Sequence, residues 1–175
     1  MRSYFMQTDR IGFSNWTSED LPLANLLWGE PDVTRYICAK GKLTKQEIAD
    51  RLLLEIKNQE TKGVQYWPIF EKSTGELIGC CGARPFDKEK NSLEIGVHLR
   101  QEFWRRGIGS EALKAVIQYC FQERKVEKLF AGHHPKNDGS RKLLTSLSFV
   151  YIGDNFYAPT GLYHPSYELA RINNM

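Results

Sequence analysis

Between Thr44 and Lys62, the apolar residues Ile48, Leu52 and Ile56 recur every fourth position, the spacing of one helical face. Thr44-Lys45-Gln46-Glu47 precedes them as a capping box: the Thr44 hydroxyl accepts from the Glu47 amide while the Glu47 carboxylate reaches back. The helix is expected to stop around Lys62-Gly63. A shorter helix over "LPLANLLW" follows the capping stretch Thr17-Ser18-Glu19-Asp20 and ends near Gly29-Glu30-Pro31. The pattern then changes period. "VQYWPIFE" (Val64 to Glu71), "LIGCCGARPF" (Leu77 to Phe86) and "SLEIGVHL" (Ser92 to Leu99) read as strands. The connections "STGE" and "DKEKN" are short enough to make them an antiparallel meander. Pro68 has no amide to donate, so it is expected at an edge or at an irregular point of its strand. Neighbouring Cys80 and Cys81 are expected on opposite faces.

After Gly107 the helical period returns. Ala112, Leu113, Val116, Ile117, Cys120 and Phe121 form one broad apolar face, suited to lie on a sheet. "KLFAGH" (Lys128 to His133) is the next strand, and strand–helix–strand implies a parallel crossover. "SRKLLTSLSF" gives a further helix, and "FVYIGD" and "SYELAR" the last strands. The expected architecture is α+β: a mixed, mostly antiparallel sheet flanked by helices, with one parallel βαβ unit. With no repeats or low-complexity linker, residues 1–175 are expected to form a single domain.

Composition narrows the function classes. The formal charge of +3 is small and its signs are mixed in "KEK" and "RKVEK", which argues against nucleic acid. No apolar run approaches the roughly 18 residues of a membrane span, and "MRSYFMQTDR" lacks a secretory core, so a cytoplasmic protein is expected. The four cysteines, Cys38, Cys80, Cys81 and Cys120, lack metal spacing and read as reduced thiols. His133-His134-Pro135 reads as a loop at a strand end, so no metal is expected.

The chemistry concentrates in "FWRRGIGSEAL". The first amides of a helix have no internal partner and sit at the positive end of its dipole. Gly107 and Gly109 remove side chains there and Arg105 and Arg106 add charge, so a phosphate or pyrophosphate is the natural occupant. Gly107 to Ala112 matches the dinucleotide pattern G-x-G-x-x-A. That pattern needs a preceding strand of a parallel sheet and an acid about 20 residues on. Here three antiparallel strands precede the loop, and the next strand ends Gly132-His133-His134. A Walker A loop is excluded because no Gly-Lys-Ser/Thr follows.

"LEIGVHLRQEFWRRGIGSEAL" resembles the acetyl-CoA-binding motif of the GNAT N-acetyltransferases, and "NDGSRKLLTSLSF" (Asn137 to Phe149) is similar to that family's second signature. The stretches "DLPLANLLWGEPDVTRYI" and "GLYHPSYEL" resemble the RimJ/RimL-type branch of ribosomal-protein-alanine N-acetyltransferases. The resemblance implies a GNAT-like fold and acetyl-CoA as co-substrate. The backbone of Arg105, Arg106, Gly107, Ile108, Gly109 and Ser110 would bind the pyrophosphate. Val97 and Leu99 would offer backbone groups to the pantetheine arm, with Asn137 on its other side. Trp104 stands where the family's loop usually has Arg or Gln.

Acetyl transfer to an amine needs a proton acceptor, a stabilised oxyanion and a proton for the departing thiolate. Glu94 is the candidate base, its alternative a solvated strand glutamate. The tyrosine that many relatives carry seven residues after the asparagine is replaced by Leu144. The branch resembled implies Ser140 as acid instead, with helix N-cap as its other role. Tyr66, Trp67 and Phe70 read as core. Arg35 and Tyr36 lie where relatives build the acceptor pocket. The acceptor is expected to be a protein N-terminus or a small-molecule amine, used by direct transfer in a ternary complex by a monomer or homodimer. The alternative is a non-catalytic acyl-CoA-binding sensor or interaction module.

Overall fold

A computed structural model describes residues 2–172. A short hairpin of β1 (Met6–Gln7) and β2 (Ile11–Phe13) leads through a 3-10 turn, Ser18–Asp20, into α1 (Leu21–Trp28), α2 (Pro31–Thr34) and α3 (Lys45–Lys62). The meander follows as β3 (Tyr66–Glu71), β4 (Leu77–Asp87) and β5 (Ser92–Leu99). After a second 3-10 turn, Gln101–Phe103, come α4 (Ile108–Gln122), β6 (Lys128–Gly132), α5 (Asp138–Ser146), β7 (Val150–Tyr157) and β8 (Leu162–Ala170). The strands form one sheet in the order β1-β2-β3-β4-β5-β6-β8-β7, antiparallel except for β5 and β6. This is the α+β, mostly antiparallel architecture that the sequence predicts.

Local chemistry explains the well-predicted elements. Thr44 Oγ1 accepts from the Glu47 amide at 3.2 Å, and Glu47 Oε2 accepts from the Thr44 amide at 2.7 Å. Gly63 ends α3 at φ 68°, a left-handed cap natural for glycine. The apolar face of α4 (Ala112, Leu113, Val116, Cys120) packs on one side of the sheet with Trp67, Ile69, Cys81, Ile95 and Leu129. On the other side α1 and α3 supply Leu27, Trp28, Ile48 and Leu52, which pack with Tyr66, Phe70 and Cys80. Cys80 and Cys81 thus belong to opposite cores, as strand alternation requires.

The structure decides between the two places expected for Pro68 and adds to or corrects three other expectations. Strand β3 is interior, so Pro68 is not at an edge but beside an irregular point of its strand. Its pairing with β2 begins only at Ile69, where no Pro68 amide is needed, and the β3–β4 register shifts just after, between Ile69 and Phe70. The β1–β2 hairpin and α2 were not expected; strands of two and three residues are too short to show a period. Strands β7 and β8 run from Val150 to Tyr157 and from Leu162 to Ala170, far beyond "FVYIGD" and "SYELAR". Helix α5 begins at Asp138 with Asn137 as its N-cap, two residues earlier than predicted.

The feature that positions the site is the end of the parallel ladder. Strands β5 and β6 pair only at Ser92–Lys128, Leu93–Leu129 and Glu94–Phe130. Beyond that point β6 stays paired with β8 and β5 with β4, so the two strands part. Among the described residues, no helix is long and apolar enough to cross a membrane.

Leu129 is fully buried in the α4-side core, opposite Leu93 in the last paired stretch. Leu129→Ala is expected to cost about 3 kcal/mol by transfer and cavity terms. In thermal unfolding that corresponds to a Tm lower by roughly 6–12 °C for a chain of this length.

Candidate active site

The loop before α4 is built for an anion. Arg105 and Gly107 are both left-handed, at φ 58° and 74°, and Gly107 is the residue preceding the helix. Among the described residues, the six amides from Arg105 to Ser110 meet no hydrogen-bond acceptor, the next amide, of Glu111, being the first to pair, with the Gly107 carbonyl at 3.1 Å. Successive amides with alternating handedness make a concave donor nest, here at the positive end of a 15-residue helix. Ile108 is buried and anchors the turn, whereas Arg105 and Arg106 are exposed. Arg106 stacks over Phe103 at 5.4 Å. Sequence reading missed Arg10, which donates to the Arg106 carbonyl at 2.9 Å and to Glu111 Oε2 at 2.7 Å, bracing the loop from β2's side. A Cβ on Gly109 would stand 3.4 Å from Leu143 and 3.6 Å from Leu99, so the helix start, α5 and the end of β5 converge there.

The free edge of β5 runs up to this loop. The His98 carbonyl faces Gly79 of β4, and the Arg100 amide donates to the Ile78 carbonyl at 2.9 Å. By strand alternation, Val97 and Leu99 turn their N–H and C=O groups to the open side. The Trp104 indole donates to the Leu99 carbonyl at 2.8 Å, which gives this unusual loop residue a definite place. The Val97 and Leu99 side chains pack with the α4-side core. An amide-bearing arm such as pantetheine fits this edge, and a pyrophosphate fits the nest beyond it.

Glu94 lies on the opposite face, where the strands begin to part. Its Oε1 accepts from the Tyr66 hydroxyl at 3.3 Å. Gly96 makes this possible, since a Cβ there would meet the Tyr66 oxygen at 2.5 Å. Tyr66 is thus core in its ring and site in its hydroxyl. Arg84, directly across from Glu94 on β4, lies over the Tyr66 ring at 4.4 Å and pairs with Glu55. Arg51 Nε also reaches Glu55, at 3.0 Å, and Glu55 Oε2 accepts the Tyr66 amide at 2.9 Å. His98 Nδ1 lies 3.2 Å from the Trp28 indole nitrogen, which donates to it, and 3.7 Å from Cys80 Sγ. Burial, with Arg51 and Arg84 adding to it, holds His98 neutral, well below its ordinary value. Burial also raises the Glu94 carboxyl, opposed in part by Arg84, Tyr66 and Arg51. A carboxylate raised in this way is poised to take a proton from an ammonium group.

At the start of α5, Asn137 Oδ1 accepts from the Ser140 amide at 3.1 Å. Asn137 is therefore the N-cap, and Ser140, the third residue of the helix, is not. The Ser140 hydroxyl and the Asn137 side-chain amide have no partner among the described residues. Tyr36 stacks on His134 at 4.9 Å, and His134, His164 and Tyr157 continue the cluster at 5.7 and 4.7 Å. Arg35 turns outward to pair with Asp32. The Ala39 amide donates to the Pro159 carbonyl at 2.9 Å, joining the loop before α3 to the β7–β8 turn. Among the described residues, no group of three or more His, Cys, Asp or Glu is placed to hold a metal ion. A surface hollow of about 650 Å³ between β1 and α4 contains none of the predicted site residues.

Two consequences are measurable. Gly107→Ala forces a Cβ into the left-handed region, at a cost of about 1–2 kcal/mol. The empty mutant loop is expected to relax out of this conformation, so binding of coenzyme A, which must restore it, should weaken roughly tenfold in calorimetry. For Glu94, the folded state holds its proton more tightly than the unfolded chain. Its contribution to stability is therefore present below the ordinary 4.5 and lost as pH rises through the raised value. Glu94→Gln should thus gain Tm over the parent protein at about pH 8 and not at about pH 4.

Residues 10–150 match the family model described as the acetyltransferase (GNAT) domain. The chain is 31% identical over 145 residues to the protein of Bacillus licheniformis named uncharacterized N-acetyltransferase p20, covering 82% of this chain and 81% of that one. Its fold is similar to a GNAT-family acetyltransferase from Bacillus anthracis, with a TM-score of 0.79, 18% identity and coverage of 94% and 97%. It is equally similar to RimL, a ribosomal L7/L12 alpha-N-protein acetyltransferase solved with coenzyme A, with a TM-score of 0.80, 15% identity and coverage of 96% and 98%. The donor nest, the parted strands and these matches agree: the chain belongs to the GNAT family of N-acetyltransferases.

Proposed function

We propose that this N-acetyltransferase moves the acetyl group of acetyl-CoA directly to a primary amine in a ternary complex, with Glu94 as the base. The observation that carries the reading is the pairing of a free β5 edge and amide nest on the α4 side with a half-buried carboxylate of raised proton affinity where β5 leaves β6. In this reading the amides of Arg105 to Ser110 hold the pyrophosphate, and Val97, Leu99 and Asn137 hold the arm. Glu94 removes a proton from the bound ammonium, directly or through one water, so that a neutral amine attacks the thioester carbonyl. A backbone amide of β5 receives the oxyanion, and the unpartnered Ser140 hydroxyl supplies a proton to the departing thiolate. A covalent intermediate on Cys80 or Cys120 is disfavoured, because burial pushes both thiols up to about 12. Tyr36, packed on His134 just beyond β6, belongs to the acceptor side.

The test is acetylation of two acceptor pools, peptides with free N-termini and small primary amines, read by mass spectrometry of the product. Turnover of either pool supports the reading. Glu94→Gln should lower kcat by at least about 100-fold, and Ser140→Ala by about tenfold. In the parent protein, kcat/KM should rise with pH through the raised value of Glu94, because only the ionised carboxylate accepts a proton. If acetyl-CoA binds and neither pool is acetylated, the chain is a non-catalytic acyl-CoA-binding module.

A further inference from the structure

Around Glu94, two guanidiniums, Arg51 and Arg84, share one other carboxylate, Glu55, whose side chain is fully buried. Glu55 is already saturated by the two guanidiniums and the Tyr66 amide. Arg84 keeps a buried Nε that has no hydrogen-bond partner, and an orphaned donor of this kind is expensive in a protein interior. Its guanidinium is fixed by Glu55 on one side and by the Tyr66 ring beneath it, on the strand position facing Glu94. Arg51 is held similarly, between Trp28 at 5.1 Å and Tyr66 at 5.7 Å. Both side chains remain partly accessible, at 14% and 21%. A rigid guanidinium with spare donors is the usual receptor for a carboxylate.

We propose that the acceptor is a small amino-acid-like zwitterion, whose carboxylate is received by Arg84, with Arg51 behind it, while its amine is presented to Glu94. The inference rests on the N-acetyltransferase reading above and narrows it. With Glu94 ionised, the two arginines and two glutamates cancel, and an ammonium adds one uncompensated positive charge. A carboxylate on the same molecule restores neutrality, whereas a polyamine adds further cations beside two guanidiniums. The Tyr66 side chain, its hydroxyl bonded to Glu94 and its ring under Arg84, fixes the separation between the two recognition points.

The experiment compares matched acceptors with the full chain and acetyl-CoA: an aromatic amino acid, its carboxamide, the corresponding decarboxylated amine, and spermidine. The amino acid is expected to exceed the carboxamide in kcat/KM by about 10–100-fold, mostly through KM. Arg84→Gln should bring that ratio close to one. Arg84→Lys, which keeps the charge next to Glu55, should retain part of it and guards against simple misfolding. Equal or better turnover of the carboxamide, the decarboxylated amine or spermidine by the parent protein overturns the inference and leaves the acetyltransferase reading intact. Acetylation of none of the four, together with none of the peptides, overturns both.

Discussion

Much of this molecule follows from three residue pairs. The parallel ladder between β5 and β6 stops at Glu94–Phe130, while β5 runs on beside β4 and β6 beside β8. An interior strand thereby acquires an edge in the middle of a sheet. Backbone groups left without a ladder partner must find one, in a side chain, water or a ligand. The Trp104 indole takes one of them, the Leu99 carbonyl. The rest of the cleft is arranged around the same divergence: the α4 nest at its far end, the first turn of α5 along one wall, and Glu94 at the fork itself. A continuous ladder to Leu99 would close the cleft without altering any of these side chains.

Legibility in the sequence followed the range of the interactions concerned. The capping box, the α4 stripe, the meander and the opposed cysteines depend on neighbours within a few positions, and their patterns predict them. So does the glycine–arginine loop, whose handedness is a local property of Arg105 and Gly107. The β7–β8 hairpin was legible only at its ends. Val150, Tyr151, Phe156 and Tyr163 are all more than half exposed, so apolar residues there do not report burial. The cluster beside Glu94 was the least legible, because Arg84, Glu55 and Tyr66 meet only through the sheet register and the packing of α3. A signal did exist: Glu55 falls on the apolar stripe of α3 between Leu52 and Ile56, and Arg84 interrupts the apolar run of β4. A charge on a buried face calls for a partner, although neither position says which one.

That buried cluster also bears on how the fold is held. Two arginines around one carboxylate are a poor source of stability compared with apolar packing, since desolvation offsets most of the attraction. Their value lies in specificity of placement. Glu55 connects α3 with β4 through Arg84 and with β3 through the Tyr66 amide. Helix α3 therefore has one seating on the sheet, and the separation of Arg84 from Glu94 is inherited from strand register instead of from flexible side chains.

The nest before α4 has an evolutionary corollary. Its unpaired donors are amides, which every residue except proline supplies, so the loop can exchange side chains at Arg106 or Ser110 without losing them. Handedness is what it cannot exchange. Gly107 meets that demand at no steric cost, but Arg105 meets it with a full side chain, at φ 58°. Arg105 is accordingly a position where stability and charge compete. Drift toward glycine or asparagine relaxes the backbone and gives up a cation, and drift toward a β-branched residue loses both.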